Sequence, residues 1–107
     1  MIINLNLENK KIIVVGGGNE AQKRIKSLLN EKCEIIVISD SVNTQILELI
    51  KTKQIKLKKL KIENVKFISE LKPDIIITTT NDKKINEKII NQAKNKKILA
   101  YSSDNPD

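Results

Sequence analysis

Apolar and polar positions change period several times along this chain, and each change marks an element. Ile2, Ile3, Leu5 and Leu7, separated by Asn4 and Asn6, predict a short extended lead-in, which Glu8-Asn9-Lys10 turns into the first core strand. Ile12-Ile13-Val14-Val15 is an unbroken β-branched run stopped by Gly16-Gly17-Gly18, the pattern of a strand buried on both faces of a parallel sheet. The period then becomes helical. Ala21, Ile25, Leu28 and Leu29 share one face and Gln22, Lys23 and Lys26 the other, so a helix is predicted from Asn19 to Asn30.

The alternation repeats downstream. Ile35 to Ile38 form a second buried strand, and Ser39-Asp40-Ser41 ends it and is placed to cap a helix beginning near Val42 and marked by Ile46, Leu49 and Ile50. Ile55 and Leu57 alternate with Lys56 and Lys58, which predicts a third strand with one wet face near a sheet edge. Lys61 to Lys72 reads as irregular to helical, since Ile62, Val65, Ile68 and Leu71 suit a short helix while Val65-Lys66-Phe67-Ile68 also suits an extended segment. Ile75 to Ile77 give a fourth buried strand ending in Thr78-Thr79-Thr80-Asn81. A helix marked by Ile85, Ile89, Ile90 and Ala93 and a fifth strand over Ile98 to Tyr101 complete the series. Strands alternating with helices require right-handed crossovers. The predicted fold is α/β, a Rossmann-type three-layer parallel sheet of about five core strands with helices on both faces, and residues 1–107 form one domain.

Composition narrows the chemistry. Histidine is absent and Cys33 is the single cysteine, so an intramolecular disulfide and a cysteine-based zinc cluster are excluded. Acid-base chemistry falls to carboxylates, lysines, hydroxyls or a cofactor, and no metal site is expected. No apolar run is long enough to span a bilayer and no signal peptide is evident, so a cytoplasmic protein with no membrane partner is expected. The net charge of +7 favours anionic partners. Nearly all of it is lysine, however, and the shared excess of Lys, Asn and Ile reads as a genome-wide codon bias that yields a solvated lysine surface. With Phe67 and Tyr101 the only aromatics, nucleic-acid binding is not expected.

Candidate chemistry gathers at the predicted carboxyl ends of the strands. Gly16, Gly18 and Ala21 fit G-x-G-x-x-A between a strand and a helix. In a dinucleotide fold the first glycine permits the tight turn, the second lets pyrophosphate approach bare backbone, and the small third residue packs helix on strand. The alternative is a glycine-rich turn that only closes the βα unit. Asp40 stands where an acid would bind the adenosine ribose hydroxyls and repel a 2′-phosphate, favouring NAD over NADP, or else is the N-cap of the following helix. Thr78, Thr79, Thr80 and Asn81 either line the nicotinamide half of a cofactor or cap the helix after them. Asp104, after the fifth strand, is the acid best placed near a nicotinamide ring, or a residue of a solvated terminal turn.

On the lead-in Leu5 to Lys10, the run Ile12 to Gly18 with Ala21 and Lys23, Thr80-Asn81-Asp82 with Asn86, and the closing Asp104-Asn105-Pro106, the chain resembles the NAD-binding domain of siroheme synthases and precorrin-2 dehydrogenases over nearly its whole length. To the glycines Gly16, Gly17 and Gly18 and the threonines Thr79 and Thr80 already read from their placement, the resemblance adds cofactor contacts at Asn19, Glu20, Asp40 and Ser41, and it implies Asp104 as the catalytic carboxylate. It implies NAD as cofactor and precorrin-2, a tetrapyrrole, as substrate: family members oxidise precorrin-2 to sirohydrochlorin, passing hydride to NAD, and some also insert ferrous iron. It further implies a homodimer for a complete member, through a C-terminal dimerisation and substrate region expected to be absent from this chain. Asn19-Glu20, Lys32 and Tyr101-Ser102-Ser103 depart from an acid-valine pair, a glycine and Asn-Val-Val in the family. A noncatalytic NAD-sensing module is the alternative reading.

Overall fold

The computed structural model describes residues 6–62 and 65–103. Within them, five strands and four α-helices alternate: β1 (Lys11–Val15), α1 (Asn19–Leu28), β2 (Glu34–Ser39), α2 (Thr44–Lys51), β3 (Lys56–Lys59), α3 (Lys66–Leu71), β4 (Ile75–Thr78), α4 (Lys83–Asn95) and β5 (Leu99–Ser102). All neighbouring strands pair in parallel, in the order β3-β2-β1-β4-β5. This is the expected Rossmann-type sheet. Its order reverses between β1 and β4, where the chain crosses from one face of the sheet to the other.

Each buried strand supplies two cores at once. Ile12 and Val14 of β1 join Ala21, Ile25, Leu28 and Ile46 on the α1/α2 face, while Ile13 and Val15 join Phe67, Ile68, Ile85 and Ile89 on the α3/α4 face. These four β1 side chains, Ile12 to Val15, are fully buried, and each stabilises the fold by roughly 1.5–3 kcal/mol relative to exposure. β1 and β4 are locked at their start by Asp74, whose carboxylate accepts the Lys11 amide at 2.8 Å while its own amide donates to the Lys11 carbonyl at 2.8 Å. This fixes the register that brings Val15 beside Thr78 at the other end.

The departures from the sequence reading are local. α1 stops at Leu28 and a 3₁₀ turn, Leu29–Glu31, continues to Lys32, whose φ of 55° ends the helix where the left-handed conformation leaves no room for another turn. The ambiguous segment resolves into the short helix α3, with Phe67 and Ile68 buried. Ser39-Asp40-Ser41 does not cap α2. That helix begins at Thr44, and Asn43 Oδ1 accepts the Ile46 amide at 2.9 Å. The lead-in from Ile2 to Leu5 lies outside the described residues. Leu7 packs into the α1/α2 core.

Candidate functional site

A cavity of about 550 Å³ opens at the carboxyl edge of the sheet, over the point where β1 separates the two helical layers. Its floor is the glycine turn, and each glycine meets a different constraint. Gly16 has a φ of +122°, and a Cβ there would run into the Thr79 hydroxyl. A Cβ on Gly17 would strike the Ser41 carbonyl and come within 2.9 Å of the Val42 Cα, because the chain leaving β2 passes directly over it. Beyond its immediate chain neighbours, no heavy atom lies within 4 Å of the Cβ position of Gly18, so that residue faces open cavity. Behind the turn Ala21 is completely buried, where a larger side chain would hold α1 off the strand.

Gly18 is the N-cap of α1 and offers no side chain to the first-turn amides. Those donors and the positive end of the helix dipole are left to a ligand, and open space lies in front of them. On one side the wall continues through Ser39 and Asp40 at the end of β2, with the Asp40 carboxylate exposed. Opposite, it runs through Thr79, Thr80, Asn81 and Asp82 after β4. The chain up to Ser103 reaches the same edge, its amide donating to the Thr78 carbonyl at 2.9 Å. An open cradle over bare glycine, uncapped amides and an acid at one end together match the phosphates and ribose of a dinucleotide.

Of the residues expected to hold a cofactor, Gly16, Gly17, Gly18, Asn19, Glu20, Asp40, Thr79 and Thr80 all line the cavity. Ser41 is not brought into that wall: its carbonyl accepts the Ser39 hydroxyl and abuts Gly17. Asp104 lies outside the described residues. The reading of Asp40 as an N-cap is corrected by Asn43, three residues further on, which performs that role. Likewise Asp82, and neither threonine, caps α4, its Oδ1 accepting the Lys84 and Ile85 amides. Both threonine hydroxyls point their protons into the protein. Thr79 donates to the Val15 carbonyl at 2.7 Å, and Thr80 donates to Oδ1 of Asn86, which returns a bond from Nδ2 to the Thr80 carbonyl at 2.9 Å. What they offer a ligand is hydroxyl lone pairs on a rigid loop.

Sequence reasoning missed Lys61 and Ile62 in the wall and the part played by Asn43. The position of Lys61 and Ile62 just past the end of β3, on the same carboxyl edge, was the available signal. The side-chain charges in the wall are Glu20, Asp40, Asp82 and Lys61, so the excess of positive charge on the molecule is not gathered here. Glu20 pairs with Lys23 at 3.5 Å, an exposed contact of little energetic consequence. Cys33 lies away from the cavity, and burial raises the pKa of its thiol, which keeps it protonated and a poor nucleophile at neutral pH. Among the described residues no group of three or more metal-ligating side chains occurs, and no helix is long and apolar enough to cross a membrane.

Comparison with known proteins agrees with this geometry. Residues 3–107 match the family model NAD_binding_7, described as NAD(P)-binding. The chain is 28% identical over 102 residues to a precorrin-2 dehydrogenase of Bacillus subtilis, covering 95% of this chain and 61% of that protein. It is 36% identical over 95 residues to a siroheme synthase of Psychromonas ingrahamii, covering 87% of this chain and 19% of that one. Among solved structures it resembles SirC, a precorrin-2 dehydrogenase, with a TM-score of 0.70 and 29% identity over 94% of this chain and 47% of the other. The chain thus spans between a fifth and about three fifths of the length of these relatives.

Proposed function

The chain belongs to the NAD(P)-binding domain family of precorrin-2 dehydrogenases and siroheme synthases, and from that membership we propose that it is the NAD-binding part of an enzyme that oxidises precorrin-2 to sirohydrochlorin. The observation that carries the reading is the open space over Gly18 in front of the uncapped first turn of α1, with Asp40 at one end of the same cavity. NAD, when bound, supplies the hydride acceptor.

The protein's own contributions follow from position. Amides of the first turn of α1 donate to pyrophosphate oxygens, and Gly18 leaves the approach clear. Asp40 accepts from the ribose hydroxyls and opposes a 2′-phosphate, which selects NAD over NADP. Asn19 and Glu20 border the phosphate end, and Thr79 and Thr80 hold a stiff wall beside the nicotinamide half. Ser41 acts through its loop rather than by lining the cavity. Asp104 follows Ser103 in the chain, and we assign it the proton that the macrocycle loses as hydride departs. The complete protein is proposed to act in the cytoplasm, as a homodimer and without a nucleic-acid partner.

Calorimetric titration with NAD and with NADP tests the cofactor site: NAD is expected to bind more tightly, and binding of neither would remove the dinucleotide reading. Turnover of precorrin-2 by the complete protein, compared with its Asp104→Asn variant, tests the chemistry. Near-intact turnover in that variant would remove Asp104 from the mechanism. Retained NAD binding with no turnover by the complete protein would favour a cofactor-sensing module.

A further inference from the structure

The loop that leaves β2 is fastened to the glycine turn at one residue. Asn43 donates its backbone amide to the Gly17 carbonyl at 2.8 Å. Its Oδ1 accepts the Ile46 amide at 2.9 Å and caps α2, while its Nδ2 reaches across to α1, to Gln22 Oε1 at 2.8 Å and Asn19 Oδ1 at 3.5 Å. One carboxamide therefore joins the glycine-turn helix to the helix that follows Asp40. Capping alone does not require it, since serine caps a helix about as well as asparagine. A serine hydroxyl, though, is too short to span to Gln22 while it caps α2.

The geometry points to Asn43 as a positioning residue that holds the Asp40 loop in register with the phosphate-binding turn and so sets the preference for NAD over NADP. The inference rests on the reading of the cavity as a dinucleotide site. Asp40 is exposed at the end of β2, three residues before Asn43, on a stretch whose far end is held by that residue. A carboxylate on a loosened stretch would lose its hold on the ribose hydroxyls and its repulsion of a 2′-phosphate together. The backbone bond from Asn43 to Gly17 survives a change of side chain, which isolates the carboxamide's contribution.

Asn43→Ser and Gln22→Met, singly and combined, are titrated with NAD and with NADP, and melted in parallel. Serine retains the cap, and methionine keeps a straight-chain helix former on α1 while removing the acceptor. Each single change is expected to weaken NAD about fivefold, the worth of one ordinary hydrogen bond, while NADP is little altered and the preference narrows. The double variant should match Asn43→Ser rather than the product of the singles, because both changes remove the Asn43–Gln22 bond and only Asn43→Ser also removes the longer one to Asn19. Unchanged NAD affinity, parallel weakening of both cofactors, or multiplicative effects would each overturn the role of Asn43 while leaving the dinucleotide site intact. Failure of the unaltered chain to bind either cofactor would instead remove the site itself, and the inference with it.

Discussion

At the scale of single residues, Gly17 and Gly18 are adjacent, identical and opposite in consequence. Gly17 is pressed by the backbone of the loop after β2, at the Ser41 carbonyl and the Val42 Cα, and a backbone cannot rotate out of the way as a side chain can. Gly17→Ala is therefore expected to cost about 1–3 kcal/mol of folding stability, the usual range for overpacking. Gly18 has ordinary extended backbone angles, φ −102° and ψ −156°, and space around it. Gly18→Ala should leave stability within about 1 kcal/mol of the parent, since alanine is only a poorer cap. Its methyl group would stand where pyrophosphate approaches the amides, and NAD affinity should fall roughly tenfold or more. Denaturant unfolding and calorimetry on the two variants separate these effects. A Gly18→Ala protein that bound NAD normally would mean that the phosphates lie elsewhere.

At the scale of elements, the fold was legible wherever a segment is buried on both faces. Ile12 to Val15, Ile35 to Ile38 and Ile75 to Ile77 are runs that only the middle of a parallel sheet accommodates, and all three became central strands. The lysine alternation of β3 likewise marked an edge. Helix termini were less legible because this chain writes them with unusual residues. Lys32 and Lys72 cap their helices with φ of 55° and 49°, and Lys53 and Lys97 hold 63° and 60° just past α2 and α4, positions where glycine is the common stop signal. At the cavity, the glycines, Glu20 and Asp40 could be placed in the wall from sequence, whereas the brace at Asn43 could not, since its partners Asn19 and Gln22 lie more than twenty residues away. The lysine stops also carry an energetic consequence. Lys32 is exposed, so its side chain contributes little packing, and its left-handed backbone is strained in a way glycine relieves. Lys32→Gly is expected to stabilise the protein by about 0.5–1 kcal/mol, after allowing for the greater freedom of glycine in the unfolded chain. For a domain of this size that raises the melting temperature by roughly 2–8 °C. A fall in the melting temperature would mean that the lysine side chain makes a contribution its exposure does not suggest.

At the scale of the whole molecule, net charge and local charge point in different directions. The chain carries +7 overall, yet Glu20, Asp40 and Asp82 outnumber Lys61 among the charged side chains of the cavity wall. On the proposed reading, an anionic cofactor would therefore be held chiefly by amide dipoles at the start of α1 and not by a field of lysines. Distant surface lysines act only through solvent, where the screening length is about 10 Å at 0.1 M salt, and their pull is largely gone at physiological ionic strength. NAD affinity should accordingly change by less than about threefold between roughly 50 and 500 mM salt, in contrast to the steep loss expected when lysines neutralise a polyanion. Isothermal titrations across that range measure it directly. A steep decline would place the phosphates against the lysine surface and move the binding site away from the glycine turn, whereas a flat response would locate the interaction in short-range contacts at Gly16 to Glu20, which salt does not reach.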